Sequence, residues 1–225
     1  MPAQADVWSP ESQLQTSIAQ AEPFRAFLDV IVSGDSEAAV RLLKTSPHLA
    51  KERAACGATR QTSKEYFFDR IKHYLNAGDT ALHLAAAANQ ARIAEELISG
   101  GADVRARNRL GAEPLHYAVD GGPGSPAWDP DQQAMIIARL IRAGANPNAT
   151  DKSGVAPLHR AVRNRCAAAV KALIDGGADP HVSNGKGSTP MLLARLNTGK
   201  SGSGSPGAKD QQQEILRMLR EHGAL

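Results

Sequence analysis

The sequence predicts a mostly α-helical solenoid in which similar helix pairs stack side by side. Three observations predict it: a motif that recurs every 33 residues, a second apolar pattern after each copy, and a glycine that ends each pattern. A single helix pair cannot bury its apolar face, so such units become stable only by stacking. Hydrophobic residues form 42% of the 225-residue chain but aromatics only 4%, so alanine and aliphatic side chains must fill the core.

The motif occurs four times, and three of the copies contain a histidine. The copies lie at residues 80–85, 113–118, 156–161 and 189–194. His83 and His116 are 33 residues apart, His116 and His159 are 43 apart, and Leu192 follows after a further 33. The longer interval predicts an insertion of ten residues in one repeat.

The second pattern has apolar residues at helical spacing, which predicts one buried face of a helix. These residues are Ile93, Leu97, Ile98, Ile136, Ile137, Leu140, Ile141, Val170, Leu173, Ile174, Ile215, Leu216 and Leu219. Gly101, Gly144, Gly177 and Gly223 follow the four patterns. Glycine suits the left-handed residue that commonly ends a helix.

These motifs and their period resemble the ankyrin repeat, with its T-P-L-H-x-A and G-A-D signatures. The resemblance implies a β-turn finger and two antiparallel helices per repeat. It also implies that His83, His116 and His159 are structural and bond finger backbone between repeats. Their spacing places one histidine in each layer, so we expect that they do not converge on one metal ion. Glu113 departs from the family's threonine.

A weaker copy over residues 34–43 precedes the four, with a first helix supplied by Phe24, Phe27, Leu28 and Ile31. We therefore expect about five repeats, of which the first and last are degenerate caps, and a 22-residue insertion after the first. The expected organisation is a poorly ordered tail over 1–21 and one ankyrin-repeat domain over 22–225. Insertions are expected near 51–77, 121–131 and 197–209.

Composition excludes several classes of protein. Two cysteines, Cys56 and Cys166, form neither a disulfide framework nor a Cys-rich zinc site. The chain has no apolar run long enough for a membrane span, and its first residues lack the pattern of a secretory signal. We expect a cytoplasmic monomer without metal or cofactor.

Charge and resemblance together predict the partner. Residues 1–50 carry three Lys or Arg and six Asp or Glu, whereas residues 151–200 carry eight and three. In ankyrin repeats the fingers and first helices form the usual binding surface. The residues predicted to bind a partner there are Arg105, Arg107, Arg109, Lys152, Arg160, Arg163 and Arg165. Arginine suits carboxylates, so we expect an acidic protein partner.

The first insertion is the least repeat-like segment and contains four of the nine aromatic residues. Residues 63–75 are interpreted as a short helix with Ser63 as its N-cap. One interpretation is an elaborated cap over repeats one and two. The other is one wall of a binding pocket, formed by Tyr66, Asp69, Arg70, His73 and Tyr74.

Two other functions stay open at this point. A small-ligand-binding or enzymatic protein would use that pocket, with Asp69, His73 and His83 as its acid–base group. The sequence contains no nucleophile motif, no paired-carboxylate signature and no cofactor loop, so we expect no enzyme. Nucleic-acid binding is disfavoured because basic and aromatic residues are not interleaved.

Overall fold

The computed structural model describes residues 23–123, 128–196 and 205–224. The predicted tail over 1–21 and most of the predicted insertion over 197–209 lie outside this part. Helix pairs follow one another along the described chain and confirm the predicted solenoid. They are α1 (23–33) with α2 (Ser36–Thr45), α3 (Ala81–Ala87) with α4 (Ala91–Ser99), α5 (Pro114–Ala118) with α6 (Pro130–Arg142), α7 (Pro157–Arg163) with α8 (Ala167–Asp175), and α9 (Pro190–Arg195) with α10 (Pro206–Glu221).

The pairs stack in two layers. First helices pack on first helices, as α3 does on α5 and α7 on α9, and second helices pack on second helices, as α4 does on α6 and α6 on α8. The buried apolar residues form one cluster that extends from Phe24 to Ala224. Ala85 and Ala86 are fully buried in α3, which allows the neighbouring helices to approach closely.

The three motif histidines connect each repeat to the next. Nδ1 of His83, His116 and His159 accepts the backbone N–H three residues earlier, at 3.1 Å in each case. Nε2 therefore carries the proton and donates it to the carbonyl of Ala112, Val155 or Ser188, again at 3.1 Å. Burial lowers the pKa of all three rings and keeps them neutral. Their expected structural role is confirmed.

The fingers are fixed by side-chain and backbone bonds. The side-chain oxygens of Asn108, Asp151 and Asn184 each accept two backbone N–H groups within their own finger. Adjacent fingers are joined by backbone bonds, such as Gly185 N–H to the Ser153 carbonyl at 2.9 Å. A Cβ on Gly185 would lie 2.5 Å from that carbonyl oxygen, so glycine is required for this close approach.

The first insertion is a β-hairpin, and the prediction of a helix over 63–75 is wrong. A 3-10 turn (Ser63–Tyr66) leads into strand β1 (Phe67–Phe68), which pairs antiparallel with β2 (His73–Tyr74). Ser63 is not an N-cap but the first residue of the 3-10 turn. The N-cap residue of that turn is Thr62, whose side chain makes no capping bond. Adjacent aromatic residues suit a strand because successive side chains point to opposite faces.

Each face of the hairpin has a different environment. Phe68 is buried in the core, and the Arg25 guanidinium of α1 lies 4.3 Å from its ring centre. Phe67 contacts Tyr74 across the strands, with ring centres 4.7 Å apart. The hairpin thus packs over the first repeats and also exposes a second face. The interpretation as a cap describes the buried face, and the interpretation as one wall of a binding pocket stays a prediction for the exposed face.

Helices α6 and α10 begin at Pro130 and Pro206, within the segments predicted as the later insertions. Trp128 packs against the core and donates its indole N–H to Gln133 at 3.0 Å. Cys56 is exposed, whereas Cys166 is buried with its Sγ 2.8 Å from the Gly121 carbonyl. None of the helices in the described ranges combines the length and apolar character needed to cross a bilayer.

Candidate partner-binding site

Two adjoining clefts lie on the side of the stack formed by the fingers and first helices. The first, which we call the hairpin cleft, has a volume of about 800 Å³ and lies between the hairpin and the finger that carries Arg109 and Leu110. The second, which we call the basic cleft, has a volume of about 770 Å³ and lies between the next two fingers and α7. Asp120 and Asn164 line both clefts and form the border between them.

The basic cleft collects four cationic side chains from two fingers and one helix. They are Lys152, Arg160, Arg163 and Lys186. Arg160 is paired inside the fold, since its guanidinium lies 3.1 Å from the Asp151 carboxylate and 3.7 Å from that of Asp120. The other three cations form no ion pair within 4 Å with any described carboxylate, so their charge faces the cleft.

The hairpin cleft is more apolar. Ile71, Tyr74 and Leu110 line it, and Tyr74 and Leu110 keep 44% and 43% of their surface exposed. Arg109 donates to the Ala58 carbonyl at 2.6 Å and thereby ties the finger to the insertion. Large apolar side chains that stay exposed in a cleft are typical of interaction surfaces.

The border between the clefts is a charged pair. His73 Nε2 lies 2.8 Å from the Asp120 carboxylate, and Nδ1 lies 2.9 Å from the Tyr74 carbonyl. Both ring nitrogens face acceptors, which favours the protonated form of His73. Burial alone lowers the pKa of His73, but the bond to Asp120 and its charge outweigh burial and leave the pKa raised. Burial raises and His73 lowers the pKa of Asp120, with a net decrease.

A buried polar cluster supports this border from below. The His73 ring packs on the Tyr117 ring, with centres 4.3 Å apart. The Tyr117 hydroxyl donates to the fully buried Asp79 carboxylate at 2.8 Å, while the amides of Asn76 and Asn108 donate to that hydroxyl at 2.9 and 2.8 Å. These bonds fix the end of the insertion against two repeats.

The structure separates the cationic residues that the sequence grouped together. Lys152, Arg160 and Arg163 meet in the basic cleft, and Arg109 lines the hairpin cleft. Arg105 and Arg107 line neither cleft. Their guanidinium groups bond neighbouring backbone, Arg105 at the Gly144 carbonyl and Arg107 at the carbonyls of Gly111 and Thr150. They brace adjacent repeats.

The expectation that Arg165 lies on the binding surface is wrong. This residue is 2% exposed, and its guanidinium donates to the Ala194 carbonyl at 3.1 Å and also to the Leu196 carbonyl. Its φ of 59° places it in the left-handed region between α7 and α8. That backbone conformation turns the side chain toward the next repeat.

The five predicted pocket residues are divided in the same way. His73 and Tyr74 line the hairpin cleft, whereas Tyr66, Asp69 and Arg70 line neither cleft. Tyr66 donates to Cys56 Sγ at 3.1 Å, and Asp69 pairs with Lys72 at the exposed turn.

The acid–base group of Asp69, His73 and His83 does not form. His83 is fully buried, with its Nε2 used by the Ala112 carbonyl, and His73 is paired with Asp120. Asp69 lies at the opposite end of the hairpin, with its side chain 85% exposed. In the described part of the chain, no three His, Cys, Asp or Glu residues are grouped so as to hold a metal ion.

Asp120, Leu110 and Lys186 were not among the predicted site residues. A position-by-position alignment of the repeats identifies these residues, because they occupy equivalent positions in successive repeats. Asp120 and Arg163 both follow their motif histidine by four residues, and Leu110 and Lys186 both precede the motif position by six. The partner of Asp120 is 47 residues away in the hairpin, so repeat periodicity does not predict the pair.

Stacked helix pairs with projecting fingers and a groove across them define a helical-repeat protein with a rigid binding surface. A family model described as ankyrin repeats (3 copies) matches residues 30–125, and one described as ankyrin repeats (many copies) matches residues 140–194. The chain belongs to the ankyrin-repeat family. Ankyrin repeats generally mediate protein–protein interaction, and proteins built from them are typically non-enzymatic scaffolds.

One curated protein similar to this chain is the mitochondrial disaggregase of Rattus norvegicus. The two are 41% identical over 61 residues, which is 27% of this chain and 9% of the disaggregase. The chain therefore spans a small part of that relative, and the likeness concerns ankyrin repeats.

Proposed function

We propose that this protein is an interaction module that binds an acidic segment of another protein in the basic cleft. One observation carries the proposal. Lys152, Arg163 and Lys186 come from two fingers and one helix, yet they line a single cleft, and no described carboxylate within 4 Å neutralises them. We also propose that residues 22–225 act as one binding unit, which is supported by the continuous core of the described residues from Phe24 to Ala224.

Rigidity of the fingers supports this function. The cations of the basic cleft extend from fingers that are held by side-chain bonds to their own backbone and by backbone bonds to each other. A surface that is already ordered loses little conformational entropy when a partner binds. Complementary charge also increases the rate of association and makes it depend on salt.

A double charge reversal, Lys152→Glu with Arg163→Glu, tests the proposal. Binding of a fluorescein-labelled poly-glutamate peptide is measured by fluorescence polarisation at low and high salt. Wild type is expected to bind at low salt and to release the peptide at high salt, and the double variant is expected to lose binding. A pull-down from lysate with mass spectrometry then compares the proteins captured by each.

The matched control is Arg142→Glu with Lys209→Glu. Both residues are exposed on second helices and neither lines a cleft, so the net charge changes equally. Equal loss of binding in both double variants would show non-specific attraction and overturn the proposal. The expected binding species is a monomer of 23.8 kDa, which light scattering after size exclusion measures directly.

A further inference from the structure

We infer that the two clefts together bind one extended peptide segment, with an apolar side chain in the hairpin cleft and acidic side chains in the basic cleft. The inference rests on the proposed function, because it assigns the acidic residues to the same cleft. It adds a second requirement, an apolar anchor, and names the surface that recognises it.

The first argument is that the clefts are continuous. Asp120 and Asn164 line both, so a chain that leaves one cleft enters the other directly. Asn164 is held in place by its bond to the Val119 carbonyl at 2.9 Å. An extended peptide advances by about 3.3 Å per residue, so a few residues suffice to pass this border.

The second argument is that equivalent positions in successive repeats differ in polarity and charge. The same finger position holds Leu110, Ser153 and Lys186 in successive repeats, and it changes from apolar to polar to cationic. The position four residues after the motif histidine holds Asp120 and then Arg163 in successive repeats. The repeats have one backbone plan, so the difference in chemistry comes from these side chains.

The third argument concerns exposed apolar surface. In the described ranges, five large apolar side chains are more than about two-fifths exposed: Tyr74, Leu110, Met135, Leu192 and Leu196. Two of the five, Tyr74 and Leu110, line the hairpin cleft, next to the half-buried Ile71. Removing such surface from water stabilises a complex by roughly 25 cal/mol per Å², which favours an apolar occupant.

The fixed carboxylates favour a peptide over a nucleic acid. Asp120 and Asp151 are part of the basic cleft and hold Arg160. Negative charge fixed within the cleft disfavours a continuous phosphate backbone more than a peptide, in which uncharged residues can separate the carboxylates. A cleft with exposed apolar side chains, adjoining a cleft with three cations outside any ion pair of the described residues, thus matches a segment in which an apolar residue and acidic residues are neighbours.

Fluorescence polarisation with a set of labelled peptides tests the inference. One peptide carries a phenylalanine, a short Gly-Ser spacer and three glutamates; a second has the reverse order. Two controls replace the phenylalanine by serine or the glutamates by glutamine. An oligo-dT of similar length is the nucleic-acid probe. Spacers of two to six residues are compared, because the two sites are separated by the border residues.

Two variants use residues that the protein itself places at the equivalent finger position. Leu110→Ser is expected to weaken the phenylalanine peptides about fivefold and to leave the glutamate-only peptide unchanged. Lys186→Ser is expected to weaken every glutamate peptide about two- to fivefold, with the effect disappearing at high salt. Arg142→Ser, outside both clefts, is the control that leaves all peptides unchanged.

The outcomes separate this inference from the proposed function. If glutamate peptides bind and phenylalanine adds no affinity at any spacer length or in either order, the bipartite inference is wrong and the proposed function stands. If no acidic peptide binds wild type, both are wrong. Tighter binding of oligo-dT than of every peptide would overturn the peptide assignment.

Discussion

The histidines of the repeats and the histidine of the hairpin are all largely buried, but they differ in charge. Their hydrogen-bond partners favour a neutral ring in the repeats and a cationic ring in the hairpin. His83, His116 and His159 each accept one N–H and donate to one carbonyl, so they are neutral. His73 faces a carboxylate and a carbonyl, so its doubly protonated form is favoured. Burial lowers the pKa of every one of these rings, and at His73 the bond to Asp120 and its charge outweigh burial.

The difference also separates two kinds of stabilisation. The repeat histidines fasten each repeat to the next through the backbone, and the same bond recurs along the stack. His73 fastens one insertion to one repeat through a side chain, Asp120. The first kind should affect global stability, and the second should affect mainly the hairpin and the two clefts.

The largest effect is expected for His116→Leu. Leucine fills most of the space but leaves the Glu113 N–H and the Val155 carbonyl without partners, at about 1–3 kcal/mol for each unsatisfied group. We expect a decrease of about 3 kcal/mol in the free energy of unfolding, measured by urea denaturation. His181→Leu, at an exposed residue, is the control and should change stability by less than about 0.5 kcal/mol. A similar loss in both would contradict the argument.

Acidification should lower the free energy of unfolding nearly as much as His116→Leu does. Burial, followed by the nearby Arg160 charge, lowers the pKa of His116 from 6.5 to about 4. The unfolded chain takes up a proton near pH 6.5 and the folded chain resists it, so stability falls as the pH falls below 6.5. At about 1.4 kcal/mol per pKa unit, His116 alone accounts for roughly 3 kcal/mol by pH 4.

Urea denaturation at pH 7, 6, 5 and 4 measures this effect. The variant His116→Leu should lose less stability on acidification than wild type. The raised pKa values of Glu52 and Glu113, for which burial is the main cause, act in the opposite direction. Stability that stays constant between pH 7 and pH 5 would contradict neutral, buried histidines.

Asp120→Asn should lower the free energy of unfolding moderately. The stabilisation that it removes is greatest at low pH, in contrast to that of the repeat histidines. The raised pKa of His73 means that its stabilisation is complete below pH 6.5 and is lost as the pH rises through the raised value. Asparagine removes the charge that stabilises the imidazolium. We expect a loss of about 1–2 kcal/mol at pH 6 for this half-buried pair, and a smaller loss as the pH rises through the raised pKa of His73.

Hydrogen exchange at pH 6 locates that effect. The amides of Leu75 and Ala58, which bond the carbonyls of Tyr66 and Leu75, should exchange faster in Asp120→Asn than in wild type. Amides of α8 should be unchanged. Uniformly faster exchange across the stack would show that His73 and Asp120 stabilise the whole solenoid and not only the hairpin.

The smallest effect is expected for Lys72→Ala at the turn of the hairpin. Lys72 lies 2.6 Å from the Asp69 carboxylate, but their side chains are 71% and 85% exposed. Exposed pairs contribute little, so the free energy of unfolding should change by less than about 0.5 kcal/mol. A larger loss would mean that the turn, and not Phe68 and His73, holds the hairpin in place.

Periodicity made the repeats predictable, because each copy of the motif supports the same interpretation. The motif histidines and the second-helix stripe follow from one alignment. The hairpin occurs once and has no second copy for comparison, and its adjacent aromatics fit a short helix as well as a strand. Arg165 was misplaced because a left-handed backbone residue, which no motif marks, turns its side chain inward.

The two cysteines allow transient separation of the repeats to be measured by chemical labelling. Burial raises the pKa of Cys166 to about 12, and its sulfur is enclosed between the repeats that carry Gly121 and Asn164. A maleimide or disulfide reagent therefore modifies Cys56 first, while Cys166 reacts only when those repeats separate. The ratio of the two labelling rates measures how often the stack parts at its centre, without any engineered probe.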